Sequence, residues 1–391
     1  MKKKLLFVNG HLNVGGVENS LVNVLKNIDY SLYEVDLLLL EGTGDYLEEI
    51  PNDINILFYD LSSAYGPFFQ CLFNKIRTKD WFGIAIRLVL LFESIFRVNV
   101  LPLAKPLFIL QKKYHCAIAY RVGICTDIVA YLVNSEKKIT WWHHGEFNLS
   151  DRETKRWVRT LRKFDRLIAV SDGVRGMLIK KIKGIGNKIV SIPNIINTKE
   201  IRMKAMERTA LEFASNEHLT LLSIGRLAPE KGMINCVYAC KRLIEEGHNV
   251  KWFLIGEGPE REEIEKFIKQ FGLENNILLL GAISNPYPYI KNADIYVHPS
   301  RVESLSITIL EALALNTPVT VAKSLGPMEF IRNNENGLLV EPDPNGLYKG
   351  IKSLIKDQNL HSRLKSDNSD VLDNYSPEVI MEKIYRVLEA G

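Results

Sequence analysis

The sequence is poor in the features that would place it outside the cytosol or inside a membrane. Cysteine is scarce, with only Cys71, Cys116, Cys125, Cys236 and Cys240 among 391 residues. Five scattered cysteines exclude a disulfide framework, and a reducing compartment is expected. Cys236 and Cys240 fall four apart in an expected helix, but no second Cys or His pair completes a zinc site, so all five read as small core residues. No apolar run approaches the roughly 18 residues of a membrane-spanning helix. Lys2, Lys3 and Lys4 precede only Leu5 to Val8 before Asn9, Gly10 and His11, which reads as a first β-strand and not as a signal peptide. No Asp-x-Asp occurs, which weighs against a metal-chelated nucleotide, and there is no repeat of solenoid period or low-complexity tract.

What is present is ordinary globular composition, 46% hydrophobic and 25% charged. At roughly 150 residues per domain, this length predicts two domains. Charge is uneven: residues 1 to 198 carry 27 Lys and Arg against 19 Asp and Glu, although the whole chain nets only +4. A basic first half suggests an anionic partner such as a membrane surface or a phosphate-bearing substrate; nucleic acid is not expected.

The order of elements is that of an α/β protein. LLFV, the loop GHLNVGG, the helical pattern VENSLVNVLKNI and EVDLLLL form a strand, glycine loop, helix and strand. HCAIAY, KKITWWHH, FDRLIAVS and KIVSIPN continue the alternation. HLTLLSIGR, VKWFLIGEGP, NILLLG, ADIYVHPS, TPVTVA and NGLLVEP repeat it. Two Rossmann-like domains are therefore expected, residues 1–195 and 196–376. A final helix over 377–390 carries an apolar stripe that could return to the first domain. The insertion from Tyr65 to Leu110 is rich in Phe, Trp and aliphatics, with Lys75, Arg77, Lys79, Arg87 and Arg97 between them. It reads as an apolar, basic helix pair, either touching an anionic membrane or forming core or dimer contacts.

Candidate site residues cluster at expected strand ends. Glu303 and Glu311 in ESLSITILE would be roughly 12 Å apart on one helix, at about 1.5 Å rise per residue. That is too far for the two-carboxylate pair of a retaining glycosidase, about 5 to 5.5 Å apart. They make better sense holding different parts of one extended ligand, with the free N–H groups near Leu305 and Ser306 suited to a phosphate. Arg226 and Lys231 follow the second domain's first strand, where cations could neutralise a leaving diphosphate. Gly15 and Gly16 open the first helix and could bring backbone N–H groups to an anion or sugar. His143 and His144 follow a strand; either could be a buried structural histidine or an acid or base.

Together GHLNVGG with Glu18, WWHHGE, IAVS, SIPN, SIGRLAPEKG, FLIGEGP, LLGAIS, ADIYVHPSRVESLSITILEALALNTPV and LGPMEFIRNNENGLLV resemble glycosyltransferase family 4. The resemblance implies the GT-B fold, in which two Rossmann-like domains face each other across a cleft. It also implies retaining, metal-independent transfer from a UDP- or GDP-sugar to a lipid-linked saccharide or glycan in polysaccharide biosynthesis, at the inner face of the cytoplasmic membrane. No cofactor beyond the donor is implied. Glu311 would hold the ribose, Glu303 would face the sugar, Arg226 and Lys231 would bind the diphosphate, and His144 would sit near the transferred sugar. The chain departs from the family pattern in two places: Leu305-Ser306 stands where an aromatic and a glycine are usual, and Asn316 where a glycine is usual. A nucleotide-sugar epimerase of the same architecture and a catalytically silent glycan-binding partner are the rival readings. The epimerase would consume nucleotide sugar without acceptor, and the presence of all four charged residues argues against the silent partner.

Overall fold

The protein is described from a computed structural model covering residues 2–59, 112–146, 151–207 and 217–390, with isolated positions between 77 and 110. The stretch from Tyr65 to Leu110, including Cys71, falls almost wholly outside the described residues.

Seven strands form the first sheet: β1 (Lys3–Asn9), β2 (Tyr33–Leu39), β3 (Ile54–Phe58), β4 (Lys113–Ala119), β5 (Asn134–Trp142), β6 (Arg166–Ala169) and β7 (Ile189–Ser191). Their order is β3-β2-β1-β4-β5-β6-β7, all parallel. The second sheet contains β8 (Leu219–Ile224), β9 (Val250–Ile255), β10 (Ile277–Gly281), β11 (Ile295–His298), β12 (Val319–Ala322) and β13 (Leu338–Val340). Its order, β10-β9-β8-β11-β12-β13, is again all parallel. This is the two-sheet GT-B architecture expected from the sequence.

Strands that are apolar on both faces explain the layering, since parallel sheets are covered by helices on each side. β1 is buried from Leu5 to Asn9 and β11 along its whole length. In β5, Trp141 and Trp142 point to opposite sides and join different core clusters. Strand order reverses between β1 and β4 in one sheet and between β8 and β11 in the other. In open α/β sheets, ligands bind at the carboxyl ends of strands beside such a reversal. The loops that follow β1, β4, β8 and β11 are therefore the ones positioned for a ligand.

The chain ends on the first sheet. The helix Pro377–Glu389 stacks Tyr385 on Tyr33 with ring centroids 5.8 Å apart, and Tyr385 Oη accepts from the Asp29 N–H at 2.8 Å. Glu389 pairs with Lys3, and Lys137 Nζ donates to the Leu388 carbonyl. Residues 192–218 and 365–377 thus join the two sheets, and Ile196 N–H donates to the Tyr375 carbonyl where these connections meet. Among the described residues, no helix is long and apolar enough to cross a membrane.

Candidate active site

The second sheet supplies a buried, charged constellation. After β8, Arg226 lies in an exposed loop and pairs with Glu230. A tight helical turn, Pro229–Lys231, follows and carries Lys231 inward. Its Nζ donates to Glu303 Oε1 at 2.7 Å. Glu303 sits in the loop after β11, before the helix Ile307–Ala314, and is 7% exposed. His298, the last residue of β11, reaches the same Oε1 with Nε2 at 2.9 Å. Burial alone would raise the Glu303 carboxyl, but Lys231 and His298 outweigh it and hold it at about 2. Glu303 is therefore ionised at neutral pH, with Oε1 doubly held; no hydrogen bond from the described residues reaches Oε2.

Glu311 lies one turn inside the Ile307–Ala314 helix and is governed by the opposite balance. It is buried and accepts from Tyr287 Oη at 3.1 Å, and no cation among the described residues hydrogen-bonds to it. Burial pushes its carboxyl up to about 7, only partly offset by Tyr287 and the more distant Lys204. Glu311 borders a small cavity that also touches Asn23 and Lys26 of the first helix, Lys204 and Tyr287. The two glutamates thus face different surroundings, one held by Lys231 and His298 and the other by a phenol.

Leu305 and Ser306 connect them. The Leu305 side chain is in the core, whereas Ser306 adopts φ 69, a left-handed conformation that favours glycine. Asn316 has φ 55. Both positions where this chain lacks a usual glycine therefore keep the backbone that glycine would adopt.

The first sheet brings its loops to the same place. Gly145, three residues past β5, lies so close to the second sheet's loop that a Cβ there would be 2.7 Å from the backbone carbon of Glu303. This contact brings the WWHHGE segment against ESLS. His144 exposes more than a third of its surface, yet the surrounding cleft and the charges of Arg121 and Arg226 keep its imidazole below the usual range. His143 is more enclosed: it packs against Tyr120 at 5.1 Å, and burial lowers it to about 3. Gly16 begins the helix Gly16–Lys26 with nothing within 4 Å of a Cβ, whereas Gly15 is pressed against the Glu18 carboxylate.

Sequence reasoning passed over His298, Tyr287 and Arg121. His298 could have been found from its place at the end of an apolar strand beside the topological switch. Arg121, just past β4, donates to the buried Glu18 at 3.2 Å and contacts His11 Nε2 at 3.0 Å. Tyr287 carries no sequence signal, because the short helix Tyr287–Asn292 that places it has no distinctive pattern.

The model of the family glycosyl transferases group 1 matches residues 208–370, which hold Arg226, Lys231, Glu303 and Glu311. Residues 208–370 thus carry this family's pattern, and the protein is a glycosyltransferase. An uncharacterized glycosyltransferase of Haemophilus influenzae is 23% identical over 98% of this chain and 99% of its own length. The N-acetylgalactosamine-N,N'-diacetylbacillosaminyl-diphospho-undecaprenol 4-alpha-N-acetylgalactosaminyltransferase of Campylobacter jejuni is 31% identical over 52% of this chain; the match spans 54% of that protein. Among solved structures, Anabaena HepE in complex with UDP and glucose superposes with a TM-score of 0.73 at 17% identity, covering 100% of both chains. The glycosyltransferase shares the HepE fold over its full length.

Proposed function

We propose that the cleft binds a nucleotide diphosphate sugar, UDP- or GDP-linked, and transfers the sugar with retention to a lipid-linked saccharide or glycan in bacterial-type polysaccharide biosynthesis. The observation that carries this reading is the Gly145–Glu303 approach, which brings the loop that holds His144 in one sheet against the loop whose Glu303 carboxylate is held by Lys231 and His298 in the other. Glu311 accepts from the ribose hydroxyls, and Glu303 Oε2 accepts from a donor-sugar hydroxyl. Lys231, Arg226 and the N–H groups at Leu305 and Ser306 oppose the diphosphate charge. Gly15 and Gly16 offer backbone N–H groups from the facing sheet, and His144 adjoins the transferred sugar.

In this reading, the bond between the anomeric carbon and the leaving phosphate oxygen breaks on the same face where the acceptor hydroxyl forms its new bond. The acceptor's proton passes to a phosphate oxygen. The protein's task is then to stabilise charge on the diphosphate and exclude water.

A lipid-linked acceptor calls for contact with the inner face of the membrane. Support comes from residues 151–188, which carry 12 Lys and Arg against 4 Asp and Glu. Lys155, Arg156, Arg159, Arg162, Lys163 and Lys180 in this segment are exposed. Each such cation near an anionic surface contributes about 1 kcal/mol. The donor site is tested by incubating the protein with UDP- and GDP-sugars and a lipid-phosphate acceptor extract. The membrane contact is tested by sedimentation with liposomes containing phosphatidylglycerol. Binding should fall with salt and with Arg159, Arg162 and Lys163 changed to Glu; salt-independent failure of the active protein to bind would refute the contact.

A further inference from the structure

We infer that His298 is a positioning residue for transfer: Tyr296, Ser306 and Thr308 hold its ring so that its Nε2–H pins Glu303 Oε1. This rests on the reading of Glu303 as the carboxylate that faces the donor sugar.

The ionised carboxylate sets the direction of the central hydrogen bond. Glu303 is ionised and can only accept, so the His298 nitrogen 2.9 Å from Oε1 carries hydrogen. The other ring nitrogen, Nδ1, lies 3.2 Å from Tyr296 Oη, within hydrogen-bonding distance. Tyr296 is fully buried, and burial holds its phenol protonated; Thr308 donates to its oxygen. Thr308 Oγ1 lies 3.4 Å from Ser306 Oγ, and the two hydroxyls share a hydrogen bond. Ser306 Oγ in turn lies 3.2 Å from His298 Nε2, where its lone pair receives the second branch of the same N–H. Both ring nitrogens of His298 thereby have partners within hydrogen-bonding distance.

The left-handed Ser306 is part of these contacts. Its backbone conformation, with φ 69, places a hydroxyl beside His298 where a glycine would offer none. Tyr296 and His298 share one face of β11 because side chains two apart on a strand point the same way. The contacts therefore join the end of β11 to the start of the Ile307–Ala314 helix, the two elements that flank Glu303 in the chain.

The test compares His298→Phe, which keeps a ring but has no N–H, with His298→Gln, which restores a donor near the Nε2 position. Glu303→Gln is measured alongside. For each, kcat and KM are determined for the nucleotide sugar that supports transfer, together with UDP and GDP binding by calorimetry and the melting temperature. His298→Phe should lower kcat about tenfold to a hundredfold, the value of one hydrogen bond to a charged group. UDP or GDP binding, which involves no sugar, should stay within about twofold, and His298→Gln should recover most of the rate. An unchanged kcat in His298→Phe, with Glu303→Gln strongly impaired, would overturn the positioning role alone. Loss of nucleotide binding and melting temperature in step with kcat, without rescue by Gln, would overturn it in favour of a structural role. An unchanged rate in Glu303→Gln would instead overturn the underlying reading of Glu303.

Discussion

Binding of a nucleotide sugar should release a proton from Glu311. Burial pushes this carboxyl up to about 7 in the free protein, so about half the molecules carry a proton there at pH 7. Two ribose hydroxyls donating to the carboxylate would favour its charged form and lower its pKa in the complex. Release should then be about 0.5 proton per ligand at pH 7, about 0.9 at pH 6 and about 0.1 at pH 8, taking the free-state value of about 7. Affinity should be flat above neutrality and weaken by up to about tenfold for each pH unit below it, because the free protein gains a proton that binding must remove. A nucleotide sugar suits the assay, since its diester diphosphate has no group titrating near pH 7. Calorimetry in buffers of different ionisation enthalpy counts the protons. Glu311→Gln should abolish the release while leaving any contribution from His144. Equal release by wild type and Glu311→Gln would refute the assignment of Glu311 to the ribose.

Lys231→Ala should destabilise the fold by about 3 to 5 kcal/mol because it strips a buried carboxylate of its cation; adding Glu303→Gln should restore much of the stability and none of the transfer, by urea denaturation and sugar-transfer assay. Gly145→Ala should force the two loops apart at a strain of about 1 to 3 kcal/mol and reduce transfer, while the nucleotide affinity of the second sheet's residues falls less, by calorimetry. Ser306→Gly and Ser306→Ala lose the same hydroxyl, so their difference isolates the backbone; the glycine variant should be the more stable by about 1 kcal/mol in urea titration.

Much of this arrangement was legible because it depends on local signals. Buried strands alternating with helices marked the two parallel sheets, and strand ends marked Arg226, Lys231 and Glu303 as candidates, with Glu311 in the helix that follows. The split between the two glutamates was only partly legible: their spacing ruled out a close pair, but their opposite titration depends on Lys231 and His298 at one and on Tyr287 at the other. Those partners lie from 5 to 72 residues away in sequence. Pairing at such separation is set by strand order, which periodicity does not encode. The Gly145–Glu303 approach, between different sheets, is likewise a property of the assembled cleft. Ser306 was visible as a departure from the family pattern, but its left-handed backbone and its bond to His298 were not, because a lone serine says nothing of φ.

The central claim is that Glu303, held by Lys231 and His298, serves retaining sugar transfer from a nucleotide diphosphate. Its most direct test is proton NMR of the product formed from an α-linked nucleotide sugar and a lipid-linked acceptor in the presence of EDTA, comparing wild type with Glu303→Gln. The account predicts an α-linked product from the wild type at an EDTA-insensitive rate, and a rate at least about a hundredfold lower from the variant. A β-linked product, donor consumption without acceptor, or an undiminished rate in Glu303→Gln would contradict it.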